Sequence, residues 1–170
     1  VLKNGPHIET SSAFDINIIE TLYEQELLTP QTFVLCNGFK RPMYVENIQN
    51  LIKRGFTNVI PILDNIFELD LLMNDFEEKF KVGIRIASEE EPKFDFYTSR
   101  LGIRYNDIIP YYEEKIATNE QVELKMLHFF INTGVKDTLY YWNELSKAVN
   151  LDCELKKVCP TLDSLDIGGG

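Results

Sequence analysis

The sequence has little positive charge and no long hydrophobic run. Of its 170 residues, 17 are Lys or Arg and 27 are Asp or Glu, so the net charge at pH 7 is -10. Proteins that bind nucleic acid gather Lys and Arg on one face, and this balance argues against such a partner. The apolar stretches are strand-sized, far below the roughly 20 residues of a membrane-spanning helix. No basic start precedes an apolar signal core, so neither a membrane partner nor secretion is expected.

Cysteine is also scarce. Cys36, Cys153 and Cys159 make an odd number in a chain of ordinary size, which fits free thiols in a reducing, cytoplasmic location better than a disulfide framework. The two histidines, His7 and His128, lie far apart in sequence. Neither a CxxC nor an HxxxH spacing is present, and no metal site is expected.

The composition is that of a globular protein, with 44% hydrophobic and 26% charged residues. The length suffices for one domain, or part of one, with a sizeable core. The chain starts at Val1 and stops on three glycines, and a glycine run leading out of a strand normally connects to another element. Both ends therefore look like cuts through a larger fold, and we expect the chain to be a fragment.

Short β-branched runs alternate with longer stretches of helical period, a pattern typical of α/β proteins. The predicted strands cover residues 7–11, 33–36, 59–63, 82–87, 123–130 and 162–167. The predicted helices cover about 14–28, a segment around 45–52, 65–80, 106–117 and 136 onward. For the first helix the predicted buried face is Ile19, Leu22, Tyr23 and Leu27. For the last helix it is Leu139, Trp142, Leu145 and Val149.

Strands joined by helices lie parallel with right-handed crossovers, which leaves a doubly wound open sheet or a (β/α)8 barrel. Six strands do not close the usual barrel, but a barrel lacking two strands is as natural as a complete open sheet if the chain is a fragment. In both architectures functional residues belong at the carboxyl ends of the strands. Those ends carry Glu9–Ser12, Cys36–Gly38, Asp64–Asn65, Arg85, His128–Gly134 and Asp166–Gly170.

Three of these strand ends indicate anion chemistry or ring packing. Consecutive glycines expose backbone N–H groups to a phosphate, although a flexible turn is the other interpretation of Gly168–Gly170. Arg85 stands in an otherwise apolar strand and requires a negative partner, either a ligand anion or a neighbouring carboxylate. His128 and Phe130 share one face by strand alternation, so one could hydrogen-bond while the other covers a flat ring.

Six motifs follow one another along the chain: Ile8–Ser12, Leu35–Lys40, Gly83–Ala87, Ser99–Gly102, Leu127–Gly134 and Leu165–Gly170. In this order they resemble the fold-type III, alanine-racemase-like decarboxylases that act on ornithine, diaminopimelate or arginine. The run Cys-Asn-Gly-Phe-Lys at 36–40 favours the biosynthetic arginine decarboxylases among the branches of that family.

The resemblance implies an incomplete (β/α)8 TIM barrel with about six of the eight strands, barrel strands 2 to 7, over residues 1–170. It implies a β domain after the barrel, pyridoxal 5'-phosphate as cofactor, an amino-acid substrate and a homodimer. The implied cofactor contacts are Glu9, Asp15, Arg85, Phe130, Thr133, Gly168, Gly169 and Gly170. The implied subunit-interface residue is Arg100.

The chain departs from the family pattern at two places. Phe130 stands where the family has a histidine that stacks on the pyridine ring, and Asn132 replaces a glycine. Phenylalanine can still offer a flat face, but it cannot titrate, which leaves His128 as a speculative catalytic substitute. The resemblance implies that the lysine that forms the Schiff base belongs to a strand before Val1 and that Lys3 is not that residue.

The expected function is pyridoxal-phosphate-dependent decarboxylation of a basic amino acid, most simply arginine to agmatine in polyamine biosynthesis, with this fragment inactive alone. Two alternatives stay open within the resemblance: a diaminopimelate or carboxynorspermidine decarboxylase, and a non-catalytic homologue of the antizyme-inhibitor kind. A third alternative takes the chain as a complete open-sheet module that binds phosphate.

Overall fold

A computed structural model describes residues 5, 7–88, 101–131 and 138–168. Within these residues six parallel strands form one sheet in the order of the chain. The strands are β1 (Ile8–Thr10), β2 (Val34–Cys36), β3 (Val59–Leu63), β4 (Phe80–Arg85), β5 (Val122–His128) and β6 (Ser164–Asp166). Sequential order without a reversal is the topology of a barrel and not of a doubly wound sheet, in which the strand order reverses.

A helix follows each of the first five strands. The helices are α1 (Ala13–Glu24), α2 (Pro42–Lys53), α3 (Glu68–Asp75), α4 (Tyr105–Tyr111) and α5 (Thr138–Leu155), and a π-helical turn (Tyr112–Ile116) continues α4. The predicted alternation of strands and helices is confirmed. Among the described residues no helix is both long and apolar enough to cross a membrane.

The sheet is curled, as a contact between side chains of its first and last strands shows. Asp166 of β6 is close enough to Glu9 of β1 for its charge and a side-chain hydrogen bond to raise the pKa of Glu9, after burial as the first cause. An open sheet would hold these strands at opposite edges. The architecture is therefore a curled half-barrel, as the sequence predicted.

The two faces of the curled sheet have separate apolar cores. The convex face packs against the helices, with Val34, Leu63, Val82 and Leu127 among its buried residues. The concave face has a smaller cluster made of Leu35, Ile60, Ile62 and Met126, with Phe33 packed against it. Successive side chains of a strand point to opposite faces, so Asp64, two residues after Ile62, and His128, two residues after Met126, lie on the concave face with this smaller cluster.

The predicted buried face of α5 is wrong. Leu139 is 79% exposed and Trp142 is 59% exposed, while Ala148, Leu151 and Leu155 are buried. Of the predicted set only Leu145 packs partly against the core. Apolar residues lie on two sides of this helix, and spacing alone does not say which side meets the sheet.

Two further helix predictions need correction. Leu27 is 45% exposed because α1 ends at Glu24, before that residue, whereas Ile19 is buried as predicted. The third helix is shorter than expected, since Phe76 already has extended backbone and β4 begins at Phe80. In α2, which lies where a helical segment was predicted, Val45 and Ile48 are buried.

Candidate functional site

Three polar side chains stand side by side on the concave face at the carboxyl ends of β4, β5 and β6. The parallel register pairs Arg85 with His128 and His128 with Asp166. Arg85 and His128 are buried, and the Nε2 atom of His128 lies 3.8 Å from Oδ2 of Asp166. Because the pairing fixes the backbone of each strand, this row of side chains is set by the sheet itself.

Asp64, directly after β3, supplies the negative partner that Arg85 requires. The Nη1 atom of Arg85 lies 3.6 Å from Oδ1 of Asp64, whose side chain is 1% exposed. Neither carboxylate oxygen of Asp64 has a hydrogen-bond partner in the described part of the chain. Of the two predicted partners of Arg85, a ligand anion or a neighbouring carboxylate, the structure contains the carboxylate. The oxygens of Asp64 can still accept hydrogen bonds from a bound ligand.

Phe130 and the glycine turn pack together beyond β5 and β6. The guanidinium carbon of Arg85 lies 5.7 Å from the centre of the Phe130 ring. Gly168 has a φ of +68°, and a Cβ there would meet the carbonyl oxygen of Phe129 at 2.9 Å and the Phe130 ring at 3.1 Å. Arg85, Phe130 and Gly168 thus lie close to one another, and glycine is needed at 168 for this close approach.

Glu9 faces the same space from β1. The Nδ2 atom of Asn37 donates a weak hydrogen bond of 3.4 Å to Oε2 of Glu9. Burial raises the pKa of Glu9, and the charge of Asp166 and the hydrogen bond that protonated Glu9 donates to its side chain raise it further. Glu9 therefore holds a proton to higher pH than an isolated glutamate does.

His128 is biased toward its neutral form. Burial lowers its pKa, the charge of Asp166 opposes that shift, and the charge of Arg85 adds to it. The Nδ1 atom is buried without a hydrogen-bond partner among the described residues. A neutral imidazole can offer one donor and one acceptor to a bound ligand.

Asp15 has a different position from the other acids. Its Oδ2 atom accepts hydrogen bonds from the backbone N–H groups of Ser11 at 2.8 Å and Ser12 at 2.9 Å. The hydrogen bond from Ser11 lowers the pKa of this carboxyl. In this structure Asp15 caps the start of α1, and its contact with a cofactor stays a prediction.

Four predicted site residues lie outside the described residues: Arg100, Thr133, Gly169 and Gly170. Four residues at or beneath this edge were not among the predicted site residues: Lys40, Asp64, Glu68 and Asp166. Asp64 and Asp166 did carry a signal, since each ends a strand. Lys40 lies inside a recognised motif, while Glu68 gave no sign of its burial beneath the site.

Unsatisfied polar atoms concentrate at this edge of the sheet. Of the six buried side-chain atoms without a hydrogen-bond partner in the described residues, five are Oδ1 of Asn37, both oxygens of Asp64, Nδ1 of His128 and Oδ2 of Asp166. Buried polar atoms are normally paired, and such a cluster fits a bound polar ligand. The flat Phe130 face and the close-packed glycine turn fit a ligand with a ring and a phosphate.

A family model described as "Pyridoxal-dependent decarboxylase, pyridoxal binding domain" matches residues 3–170. The chain belongs to this family. The domain therefore binds pyridoxal phosphate. That Arg85, Phe130 and Gly168 contact this cofactor stays a prediction.

Relatives with similar sequences include arginine decarboxylases. A biosynthetic arginine decarboxylase of Vibrio cholerae is 26% identical over 145 residues, 81% of this chain and 22% of the relative. Arginine decarboxylase 2 of Arabidopsis thaliana is 25% identical over 151 residues, 84% of this chain and 21% of the relative. The chain thus spans about a fifth of the length of these relatives.

Solved structures share the fold of the decarboxylase domain. Diaminopimelate decarboxylase from Helicobacter pylori, complexed with L-lysine, superposes with a TM-score of 0.72 at 15% identity over 99% of this chain and 42% of that one. The biosynthetic arginine decarboxylase of Campylobacter jejuni gives a TM-score of 0.67 at 19% identity over 96% of this chain and 26% of that one. These likenesses support the barrel architecture.

Proposed function

We propose that the full-length natural protein decarboxylates a basic amino acid with pyridoxal phosphate, and that its substrate is arginine. The observation that supports this most is the convergence of Arg85, Phe130 and Gly168 at the carboxyl edge of a pyridoxal-binding domain. The arginine decarboxylases among the relatives favour arginine over other substrates. Bound here, the cofactor would supply an electron-withdrawing ring that stabilises the carbanion left when carbon dioxide departs.

Phe130 and Arg85 would orient the ring. The Arg85 guanidinium lies over one face of the Phe130 ring, and this cation–π contact fixes the plane of the phenylalanine ring. The rest of the ring can pack against a flat aromatic ligand. Because phenylalanine has no titratable group, this residue would hold the cofactor without moving a proton.

The glycine turn would hold the phosphate. Gly168 begins this turn in the left-handed region, packed against the Phe129 carbonyl oxygen and the Phe130 ring. Gly169, Gly170 and Thr133 are proposed to complete the phosphate contacts with backbone N–H groups and a hydroxyl. Arg100 is proposed to lie near an interface between two copies of the full-length protein, which we expect to be a homodimer.

The acids at this edge favour cationic partners. Asp64 lies beside Arg85, Asp166 lies beside His128, and the charge of Asp166 acts on Glu9, so three acids and one arginine face this edge above the balanced Lys40–Glu68 pair. A guanidinium or ammonium substrate would be attracted to such a site, and an acidic amino acid would be repelled. Glu9, with its raised pKa, keeps a proton to higher pH than an ordinary glutamate, which suits a proton-carrying role beside the ligand.

A second candidate is a pyridoxal-phosphate-binding regulator without activity. It is favoured by Phe130, which replaces a titratable side chain with one that can only stack. Such a protein would keep the cofactor contacts of Arg85 and Gly168 and lose turnover.

The substrate test uses the purified full-length natural protein with pyridoxal phosphate. Release of carbon dioxide is measured with arginine, ornithine, lysine and diaminopimelate supplied separately. The proposal expects release with arginine, and faster release than with the other three. Cofactor binding without release from any of the four would support the regulator, and preference for another of them would replace arginine as substrate.

A further inference from the structure

Beneath the site, Lys40 and Glu68 form a buried ion pair, and we propose that this pair positions the Asp64–Arg85 pair against the cofactor. The inference rests on the proposed cofactor site and adds two positioning residues to it. Neither side chain is placed to touch the ligand itself. They act through the backbone of Asp64.

Lys40 is fully buried and is bonded to the turn after β2 and to strand β3. Its Nζ atom donates hydrogen bonds of 2.6 Å to the carbonyl oxygens of Gly38 and Ile62. The same atom lies 3.6 Å from Oε2 of Glu68, with side-chain exposures of 0% and 4%. One ammonium group thus joins the turn after β2, the end of β3 and the start of α3.

Glu68 connects this ammonium group to the site. Its Oε1 atom accepts a hydrogen bond of 3.3 Å from the backbone N–H of Lys40. Its Oε2 atom accepts one of 2.8 Å from the backbone N–H of Asp64. Burial raises the pKa of Glu68, and the charge of Lys40 opposes that shift, so the ammonium group favours the ionised carboxylate that accepts both bonds.

Asp64 passes this restraint to the cofactor edge. Its N–H is held by Glu68, its carbonyl oxygen accepts a 2.6 Å hydrogen bond from the N–H of Gly102, and its side chain lies beside Arg85. Arg85 in turn lies over Phe130. A displacement of the Asp64 backbone would therefore move the guanidinium that fixes the Phe130 ring.

Stability alone is a weak reason for such a pair. Replacement of a buried ion pair by apolar residues of similar volume is often neutral or stabilising, while removal of one partner costs several kcal/mol. Replacement of both residues leaves no unpaired buried charge, although the backbone groups bonded to Lys40 and Glu68 lose those partners, so the double variant is expected to be folded but less stable than wild type. A loss of cofactor affinity in a folded double variant therefore indicates that the Asp64–Arg85 pair has lost its position.

The test uses the full-length natural protein and three variants: Glu68→Gln, Lys40→Met and the double variant Lys40→Met/Glu68→Leu. The dissociation constant for pyridoxal phosphate is measured by titration of the cofactor absorbance, and folding is measured by near-ultraviolet circular dichroism and urea unfolding. We expect the double variant to fold and to bind the cofactor about tenfold more weakly than wild type. The control Lys125→Met removes the ammonium group of a more exposed pair, Lys125–Asp163 at 2.9 Å, and should bind within about twofold of wild type.

A second measurement separates position from general loosening. Arg85→Met is made in the wild type and in the double variant. If the pair acts through Arg85, the loss of cofactor affinity caused by Arg85→Met becomes smaller in the double-variant background, because the two changes remove the same interaction.

Each outcome decides between the proposals. Absence of cofactor binding in the wild type contradicts the proposed site itself. Wild-type binding together with unchanged affinity in a folded variant overturns only the positioning role, as does a full additive loss on Arg85→Met. Failure of all three variants to fold would make the pair a determinant of the fold and would also overturn the positioning role.

Discussion

At the scale of the residue, Arg85 and Asp64 depend on each other. Arg85→Met leaves the Asp64 carboxylate, which is 1% exposed, without the cation 3.6 Å away. Loss of one partner of a buried pair typically costs about 3 kcal/mol or more. We expect the free energy of unfolding in urea to fall by about that amount for Arg85→Met.

A matched control for Arg85→Met is Lys125→Met, which removes the cation of a more exposed pair with Asp163 at 2.9 Å. Surface pairs contribute at most about 1 kcal/mol, so this variant should stay near wild type. Equal losses in the two variants would contradict the account of Arg85.

His128 gives the protein a predicted pH dependence. Burial lowers its pKa below the ordinary 6.5, so between that value and the folded pKa the unfolded chain binds a proton that the folded chain does not. Stability is therefore lost as the pH falls below about 6.5. In His128→Asn this loss should be absent when the free energy of unfolding is measured as a function of pH between about pH 5 and pH 7. His7→Asn, at an exposed position, is the control, and an unchanged slope in His128→Asn would be the contrary result.

At the scale of the element, the glycine turn after β6 can be tested with two substitutions of similar backbone strain. Gly168 has a φ of +68° and Gly5 a φ of +65°, but only at Gly168 would a Cβ meet other atoms, with the Phe129 carbonyl oxygen at 2.9 Å. Gly5→Ala should cost about 1 kcal/mol of stability, which is the penalty of the left-handed region. Gly168→Ala should cost more and weaken the binding of pyridoxal phosphate, measured by titration, whereas Gly5→Ala should leave binding unchanged. Equal effects of both on binding would contradict the close packing of the turn.

The orientation of α5 is a second test at this scale. Leu151 is 1% exposed and Leu139 is 79% exposed. Leu151→Ala should lower the free energy of unfolding by about 2 to 5 kcal/mol because it leaves a cavity in the core. Leu139→Ala should change it by less than about 0.5 kcal/mol. The reverse order in thermal or urea unfolding would restore the face that the sequence predicted.

These elements show where sequence patterns suffice. The strands were predictable because their apolar runs are short, are bounded by turn residues and lie on a sheet buried on both faces, as at β3. The helix faces were less so: α1 was predicted to run past Glu24, and α5 has apolar residues on two sides. Which of those sides is buried depends on the curl of the sheet, a tertiary property that local spacing does not contain.

At the scale of the whole molecule, strand ends nominated part of the candidate site. Arg85 and the glycine turn were nominated by their positions at strand ends, the role of Phe130 came from the resemblance, and their contacts with a cofactor stay predictions. The Lys40–Glu68 pair was not found, since its partners are 28 residues apart and meet only when two βα units pack together. The contact of Glu9 with Asp166 likewise exists only because the first and last strands curl toward each other.

The most direct test of the central claim is a titration of the full-length natural protein with pyridoxal phosphate, followed by absorbance, for the wild type and for Phe130→Ala. The account predicts saturable binding at one site per chain, weakened in Phe130→Ala by about tenfold through loss of the flat face that covers the ring. Phe14→Ala, which truncates an aromatic ring that is 70% exposed on α1, should leave binding as in the wild type. No saturable binding by the wild type, or equal affinity in wild type and Phe130→Ala, would contradict the placement of the cofactor at this edge of the half-barrel.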